Sequence, residues 1–517
     1  MKRSFTLLFL LCIFASIFGQ IEEKKIDELI KNTLKSFDVP GMSVGVIKDG
    51  KMIYTKGFGV RSLENDLPMT DRTLVGIASN SKGFTCVALA ILADEGRLHW
   101  DDKVSQYIPE FQMYDPYVSK EITIRDLVTH RSGLGLGQGD LMFFPEGGSL
   151  SIEDIVYNVR YLKPDHSFRT KLVYNNVMFI VAGEIIHRIS GQTWADFVEK
   201  RIMKPVGMLS SYGSYARATK AGANNIIDAH APINGKAVKV PHDWNETANA
   251  AGGIMSNIHD MMIWAECLLN NFTTREGKKL ISDKQIQQLW QIQQPSTIAL
   301  QNPYNSHFYG YGMGWFLSDV KGHLQIQHTG GLIGTVTQFT LIPDLKLGIV
   351  VLTNQQSGDA FNTITNTVKD SYLGIADRNW LKTYSERMQQ YNADIDKKKV
   401  ETFAKANVFS KMKDQQPKPE QFLGTYTDDW FGEVDFFQQD EVLRISCKSS
   451  PRLKGTLIPY SPNTFIAKWD DRSYDADVFI TFEFDETGKA VNVKMKPISE
   501  VTDFSFDFED LDLKRTK

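Results

Sequence analysis

Ser79 and Lys82 stand three residues apart in the stretch Gly76-Ile77-Ala78-Ser79-Asn80-Ser81-Lys82-Gly83-Phe84. A serine hydroxyl is a weak nucleophile until a base takes its proton, and a lysine becomes such a base when burial lowers its pKa. Two further stretches carry groups able to work with this pair. Tyr174 and Asn176 are two residues apart, so in an extended turn they point the same way. The phenol can act as, or assist, a general base, and the carboxamide can hydrogen-bond lysine and substrate together. His328-Thr329-Gly330 sets an imidazole beside backbone that can approach a ligand closely. None of the three is specific alone. S-x-x-K recurs by chance, Asn176 is also well placed to cap a helix, and the glycines also suit a tight turn.

The surrounding patterns say which elements must hold these groups. Phe84, Val87, Ala88, Ile91 and Leu92 form the stripe of a helix that Gly96 stops, putting Ser79 at or near its start. Free N–H groups at such a start would stabilise an oxyanion. Val177, Ile180, Val181, Ile185 and Ile189 form a second stripe, ended by Gly191, behind Tyr174 and Asn176. Val336, Gln338 and Thr340 alternate, and Leu347 to Leu352 follow Pro343-Asp344, so these read as adjacent strands after His328. Residues 21–38 read as a helix, and two strands flank Asp49-Gly50 as a hairpin. Gly41-Met42-Ser43-Val44-Gly45 matches the G-x-S-x-G elbow, but that elbow needs a strand before it and a helix after it. Here a proline precedes it and a hairpin follows, so Ser43 reads as a strand residue. His130, after the short helix capped by Thr123, could serve as a catalytic base but reads better as a local hydrogen-bonding residue that orders its loop. Residues 135–165, rich in Gly and Pro, read as a rim over the site.

The chain has 517 residues, 42% hydrophobic and 23% charged, with net charge −4. That length suits two or more domains, and the scattered basic residues exclude a nucleic-acid partner. Met1-Lys2-Arg3 followed by the apolar run Phe5 to Phe18 reads as a signal peptide over 1–19, which places the protein outside the cytoplasm, secreted or periplasmic, with no membrane span after cleavage. Of four cysteines Cys12 leaves with it; Cys86, Cys267 and Cys447 are far apart, so neither a disulfide framework nor a metal site is expected, and no cofactor. The reading divides the chain into residues 21–374, a helical linker at 375–417, and a small all-β sandwich or barrel at 418–517 with no catalytic arrangement of its own.

Taken in order, Ser79-x-x-Lys82, Tyr174-x-Asn176 and His328-Thr329-Gly330 resemble the serine β-lactamase/penicillin-binding protein superfamily. The likeness is to its class C, esterase and D-aminopeptidase branch and covers about residues 25–370. It implies an α+β fold, an antiparallel sheet flanked by helices with an all-helical subdomain inserted. It also implies Ser79 as nucleophile, Lys82 as its activator, Tyr174 as base or proton shuttle, and Asn176, His328, Thr329 and Gly330 as substrate-binding. The backbone N–H groups of Ser79 and Gly331 would form the oxyanion hole. His328 stands where β-lactamases carry a lysine, and histidine is mostly neutral near pH 7. The expectation is therefore a serine hydrolase acting on an ester, an amide or a D-amino-acid peptide through an acyl-enzyme, with a β-lactam a poorer substrate. The alternative is a non-hydrolysing protein that binds penicillin or cell-wall peptides.

Overall fold

Strand Gly41–Lys48 is buried at nearly every position, as befits a strand covered on both faces. It turns through Asp49 and Gly50, both at positive φ (53° and 74°), into strand Lys51–Gly59. That is the backbone a two-residue hairpin loop requires. The computed structural model describes residues 21–517 apart from residues 244, 300, 301 and 377. Residues 1–19, expected to be a signal peptide, lie outside the described residues.

The sheet has eight strands, in the order Lys51–Gly59, Gly41–Lys48, Leu347–Thr353, Thr335–Ile342, His323–Leu332, Phe316–Val320, Tyr309–Tyr311, Gln294–Pro295. Every neighbouring pair is antiparallel. Ser43 sits mid-strand opposite Leu352, so the G-x-S-x-G match is no elbow. On one face Ile26 and Ile30 of helix Glu23–Ser36 and Ile364 and Val368 of helix Gly358–Tyr372 pack with Val44, Val46 and Ile349. On the other, helix Ile258–Leu269 comes so close that a Cβ on Gly45 would lie 2.4 Å from the Met262 sulfur.

A helical subdomain fills the chain between the hairpin and the sheet's far edge. Its centre is helix Ser81–Asp94, buried from Ser81 to Leu92. A helix apolar on all sides is a core helix. It stops at Gly96, which takes φ 69°. Helix Val177–Ser190 packs beside it and ends at Gly191 in the left-handed region.

After the sheet, helix Trp380–Phe409 leads to a closed barrel of eight antiparallel strands from Gly424–Asp428 to Leu513–Arg515. Its first and last strands pair, Tyr426 opposite Arg515, which removes the open edges a sandwich would leave. Phe436, Tyr426 and Phe482 pack in its interior. Before its last strand the chain leaves the barrel and lies on the first domain. There the Asp507 carboxylate accepts from the N–H groups of Gly139, at 2.6 Å, and Leu141, at 3.0 Å. Among the described residues no helix is long and apolar enough to cross a membrane.

Candidate active site

Ser79 lies in a 3-10 turn, Ala78–Asn80, immediately before the central helix, so it precedes that helix while Lys82 occupies its first turn. Ala78 takes φ 48°, a conformation that costs free energy for a residue with a Cβ and must be held by its surroundings. The holding contacts are visible. Asn80 Nδ2 donates to Thr337 Oγ1 at 2.9 Å, and Thr337 Oγ1 donates to the Ile77 carbonyl at 3.0 Å. Gly330, on the strand beside Thr337, has no room for a side chain; a Cβ there would lie 2.2 Å from the Ile77 oxygen.

Lys82 is fully buried. Its Nζ lies 3.0 Å from Ser79 Oγ, 2.7 Å from Asn176 Oδ1 and 2.8 Å from the Ala251 carbonyl oxygen. The carbonyl of Ala251 can only accept. Asn176 Oδ1 is fixed as an acceptor because its Nδ2 donates to Asp140 Oδ2 at 2.7 Å. A neutral amine has two hydrogens and one lone pair. Both hydrogens are claimed by those oxygens, so the lone pair faces the Ser79 hydroxyl. Burial favours that form, lowering the Lys82 pKa to about 7 although Asp140 pulls it upward.

The segment before helix Val177–Ser190 delivers Asn176 and Tyr174. Asn176 stands at the N-cap position but makes no cap hydrogen bond. Asn175 does the capping instead, its Oδ1 accepting from Met178 N–H at 3.2 Å, and this leaves Asn176 for the lysine. The Tyr174 ring lies 4.8 Å from Lys82 Nζ. Burial raises its phenol well above the usual value, and its hydroxyl is buried without a hydrogen-bond partner among the described residues. Tyr174 therefore stays protonated in the resting site. His130 supports this ring, their centroids 4.3 Å apart. Its Nδ1 accepts from Asn175 N–H at 3.2 Å, and burial holds its pKa well below the usual value. Its partner is 45 residues away in sequence, so it ties its loop to the Tyr174 segment and is not the locally bonded residue expected.

His328 and Gly330 come in on strand His323–Leu332, not on a tight turn. His328 Nδ1–H donates to the Thr329 carbonyl at 2.6 Å and Nε2 accepts from the Tyr311 hydroxyl at 3.2 Å. Both ring nitrogens are used by a neutral imidazole, and burial, with Lys82 nearby, lowers its pKa to about 3. Ser79, Tyr174, Asn176, His328, Thr329, Gly330 and Gly331 all line one cavity of about 420 Å³. Phe143 and Phe144 of the 135–165 loop border it, as do Asp243, Glu246 and Asp503. No described Lys or Arg lines it.

Three polar partners escaped the sequence pattern: the Ala251 carbonyl, the Asp140 carboxylate, and Ser505, whose hydroxyl donates to Asp140 Oδ2 at 2.7 Å. Asp140 lies in a Gly-rich loop with no motif around it. Ser505 belongs to the C-terminal segment, in which no catalytic arrangement was expected. Among the described residues no group of three His, Cys, Asp or Glu side chains is placed to hold a metal.

The chain resembles known proteins along most of its length. Residues 26–373 match the family model described as Beta-lactamase, and residues 411–515 match a domain of unknown function, DUF3471. A protein from Aspergillus campestris (strain IBT 28561) named Unguisins hydrolase ungD' is 28% identical over 422 residues, 78% of this chain and 75% of its own. Protein flp of Staphylococcus aureus (strain NCTC 8325 / PS 47) is 26% identical over 337 residues, 65% of this chain and 64% of its own. Among solved structures, the octameric penicillin-binding protein homologue from Pyrococcus abyssi aligns over 93% of this chain and 99% of its own, with TM-score 0.60 and 22% identity. A class C beta-lactamase aligns over 69% of this chain and 97% of its own, with TM-score 0.54 and 21% identity. At these identities the structures speak for the fold.

Proposed function

Since the chain belongs to the Beta-lactamase family, we propose that it is a serine hydrolase cleaving an ester or amide through an acyl-enzyme on Ser79. The observation that carries this reading is the place of Lys82 Nζ, 3.0 Å from Ser79 Oγ and held by two acceptor oxygens that leave the neutral amine's lone pair for the hydroxyl. In this mechanism Lys82 Nζ takes the Ser79 proton as Oγ bonds to the substrate carbonyl carbon. The carbonyl oxygen becomes an oxyanion, held by the N–H groups of Ser79 and Gly331. The carbon–oxygen or carbon–nitrogen bond to the leaving group then breaks. Tyr174, a protonated phenol, gives its proton to the leaving group and regains one from the Lys82 ammonium. Water attacks the acyl carbon by the same route in reverse, releasing the acid and free Ser79.

The cleft argues about substrate as well. A neutral His328 and three acidic lining residues with no described Lys or Arg offer nothing to pair with a substrate carboxylate. Neutral or cationic esters, amides and peptides fit better than β-lactams, which carry that group. The relative named a hydrolase supports hydrolysis over mere binding. The apolar run behind Met1-Lys2-Arg3 supports export to a secreted or periplasmic location.

Incubation of the full chain with a fluorophosphonate tests the reading. A mass increase mapped to Ser79, with turnover of chromogenic esters or D-amino-acid anilides, is expected. Folded protein that gains no mass overturns it, and a burst of product without turnover means a binding protein.

A further inference from the structure

The C-terminal domain meets the catalytic lysine through a short chain of hydrogen bonds. The Ser505 hydroxyl donates to Asp140 Oδ2 at 2.7 Å, Asn176 Nδ2 donates to the same oxygen at 2.7 Å, and Lys82 Nζ donates to Asn176 Oδ1 at 2.7 Å. Ser505 and Asp140 are 365 residues apart in sequence, and both are buried. The same segment grips the backbone on either side of Asp140, since the Asp507 carboxylate accepts from Gly139 and Leu141 N–H. The other Asp140 oxygen, Oδ1, is buried without a partner, so Oδ2 alone carries the contacts that orient the carboxylate. Packing reinforces the docking. A Cβ on Gly137 would lie 2.5 Å from a Phe504 ring carbon, and the Phe504 ring stands 6.0 Å from that of Tyr174.

We infer that the β-barrel domain is a working part of the catalytic site: Ser505 and Asp507 are positioning residues that hold Asp140, and Asp140 fixes the Asn176 carboxamide that orients Lys82. The physical reason is the symmetry of a carboxamide. Without Asp140 to accept from Nδ2, nothing else in the described contacts of Asn176 decides which of its ends faces the lysine. A flipped Asn176 would present N–H to Lys82, whose lone pair would then turn to it and away from Ser79. On this view the domain of unknown function is an assembled wall of the active site, and its separation from the first domain disarms the nucleophile.

This inference rests on the serine-hydrolase reading, and the test separates the two. The full chain is reacted with a fluorophosphonate, and the acylation rate is followed against pH and probe concentration in Ser505→Ala, Ser505→Thr and Asp140→Asn. Ser505→Ala is expected to acylate about ten-fold more slowly at saturating probe, with half-saturation unchanged. Ser505→Thr keeps the hydroxyl and is expected near the wild-type rate. Asp140→Asn keeps an acceptor for Asn176 but removes a carboxyl whose pKa burial raises to about 7 and that, when ionised, sets a negative charge near Lys82, Asp503 and Asp507. Its acid limb is expected about half a pH unit or more below that of the wild type, because Lys82 loses a neighbour that favours its ammonium. A wild-type rate in Ser505→Ala, an equal loss in Ser505→Thr, or an unmoved limb in Asp140→Asn overturns the inference. If Ser505→Ala does not fold, Asp507→Asn decides: it weakens the hold on Gly139 and Leu141 N–H, and a wild-type acylation rate in it overturns the inference. Failure of the wild-type chain to label at Ser79 sinks the hydrolase reading instead.

Discussion

Lys82 Nζ and Asn176 Oδ1 lie 2.7 Å apart although 94 residues separate them in the chain. That contact joins the central helix to the start of its neighbour and gives one of the amine's hydrogens an acceptor. The other acceptor, the Ala251 carbonyl, comes from a third element. The site is thus a meeting of chain segments, and each can be tested by what it contributes.

The acylation rate should follow the free amine of Lys82. With its pKa lowered to about 7 by burial, the amine is protonated in acid and free above neutrality. The rate is therefore expected to rise with pH and level off above an inflection near 7, measured with a fluorophosphonate. Lys82→Met should lose this limb together with most of the rate, and Lys82→Arg should not restore it, since a guanidinium keeps its proton.

Removing the proposed nucleophile should leave the fold intact. Ser79→Ala is expected to lower kcat by roughly three to six powers of ten, as in other hydrolases stripped of a nucleophile, and to abolish the Ser79 mass shift. Its thermal unfolding should stay close to wild type, because only one hydroxyl is lost.

Tyr174→Phe separates the phenol proton from the ring. The ring contacts with His130 and Lys82 persist in the variant, so stability should be little changed. Loss of the proton shuttle is expected to lower kcat by roughly a hundred-fold to ten-thousand-fold, with a smaller change in KM.

Under the proposed function His328 bears on substrate choice, and this can be tested. Its neutral ring offers no charge to a carboxylate. His328→Lys is expected to raise the ratio of cephalosporin to simple-ester turnover by about ten-fold, the effect of one charge-assisted contact. An unchanged ratio, in a folded variant, would show that the carboxylate is not recognised here.

Gly330 ties the sheet to the nucleophile turn. A Cβ there would lie 2.2 Å from the Ile77 oxygen, and backbone must move to admit it. Gly330→Ala is expected to cost about 1–3 kcal/mol of stability by overpacking, read by denaturant unfolding, and to lower the acylation rate because the Ser79 turn moves with Ile77.

Much of this was legible in the residues themselves. The stripes beginning at Phe84 and Val177, the stops at Gly96 and Gly191, and the Asp49-Gly50 hairpin all depend on local preferences, and each stands where its pattern put it. The fold followed because burial of apolar faces leaves few ways to pack such elements. The glycines of His328-Thr329-Gly330-Gly331 were more ambiguous. A tight turn and a strand pressed against backbone both require glycine, and only the neighbour at Ile77 distinguishes them.

The chain's local chemistry determined which groups can react: a hydroxyl, an amine, a phenol and a carboxamide on helical and extended spacings. Tertiary structure alone decided their states. Asn176 could have capped its helix, and it is free for Lys82 because Asn175 took that task and Asp140 holds its other end. Asp140 in turn is placed by Ser505, which belongs to a different domain. A hydrogen-bond partner hundreds of residues away leaves no periodicity to read, and burial, which sets the lysine's proton affinity, exists only once the chain has closed around it.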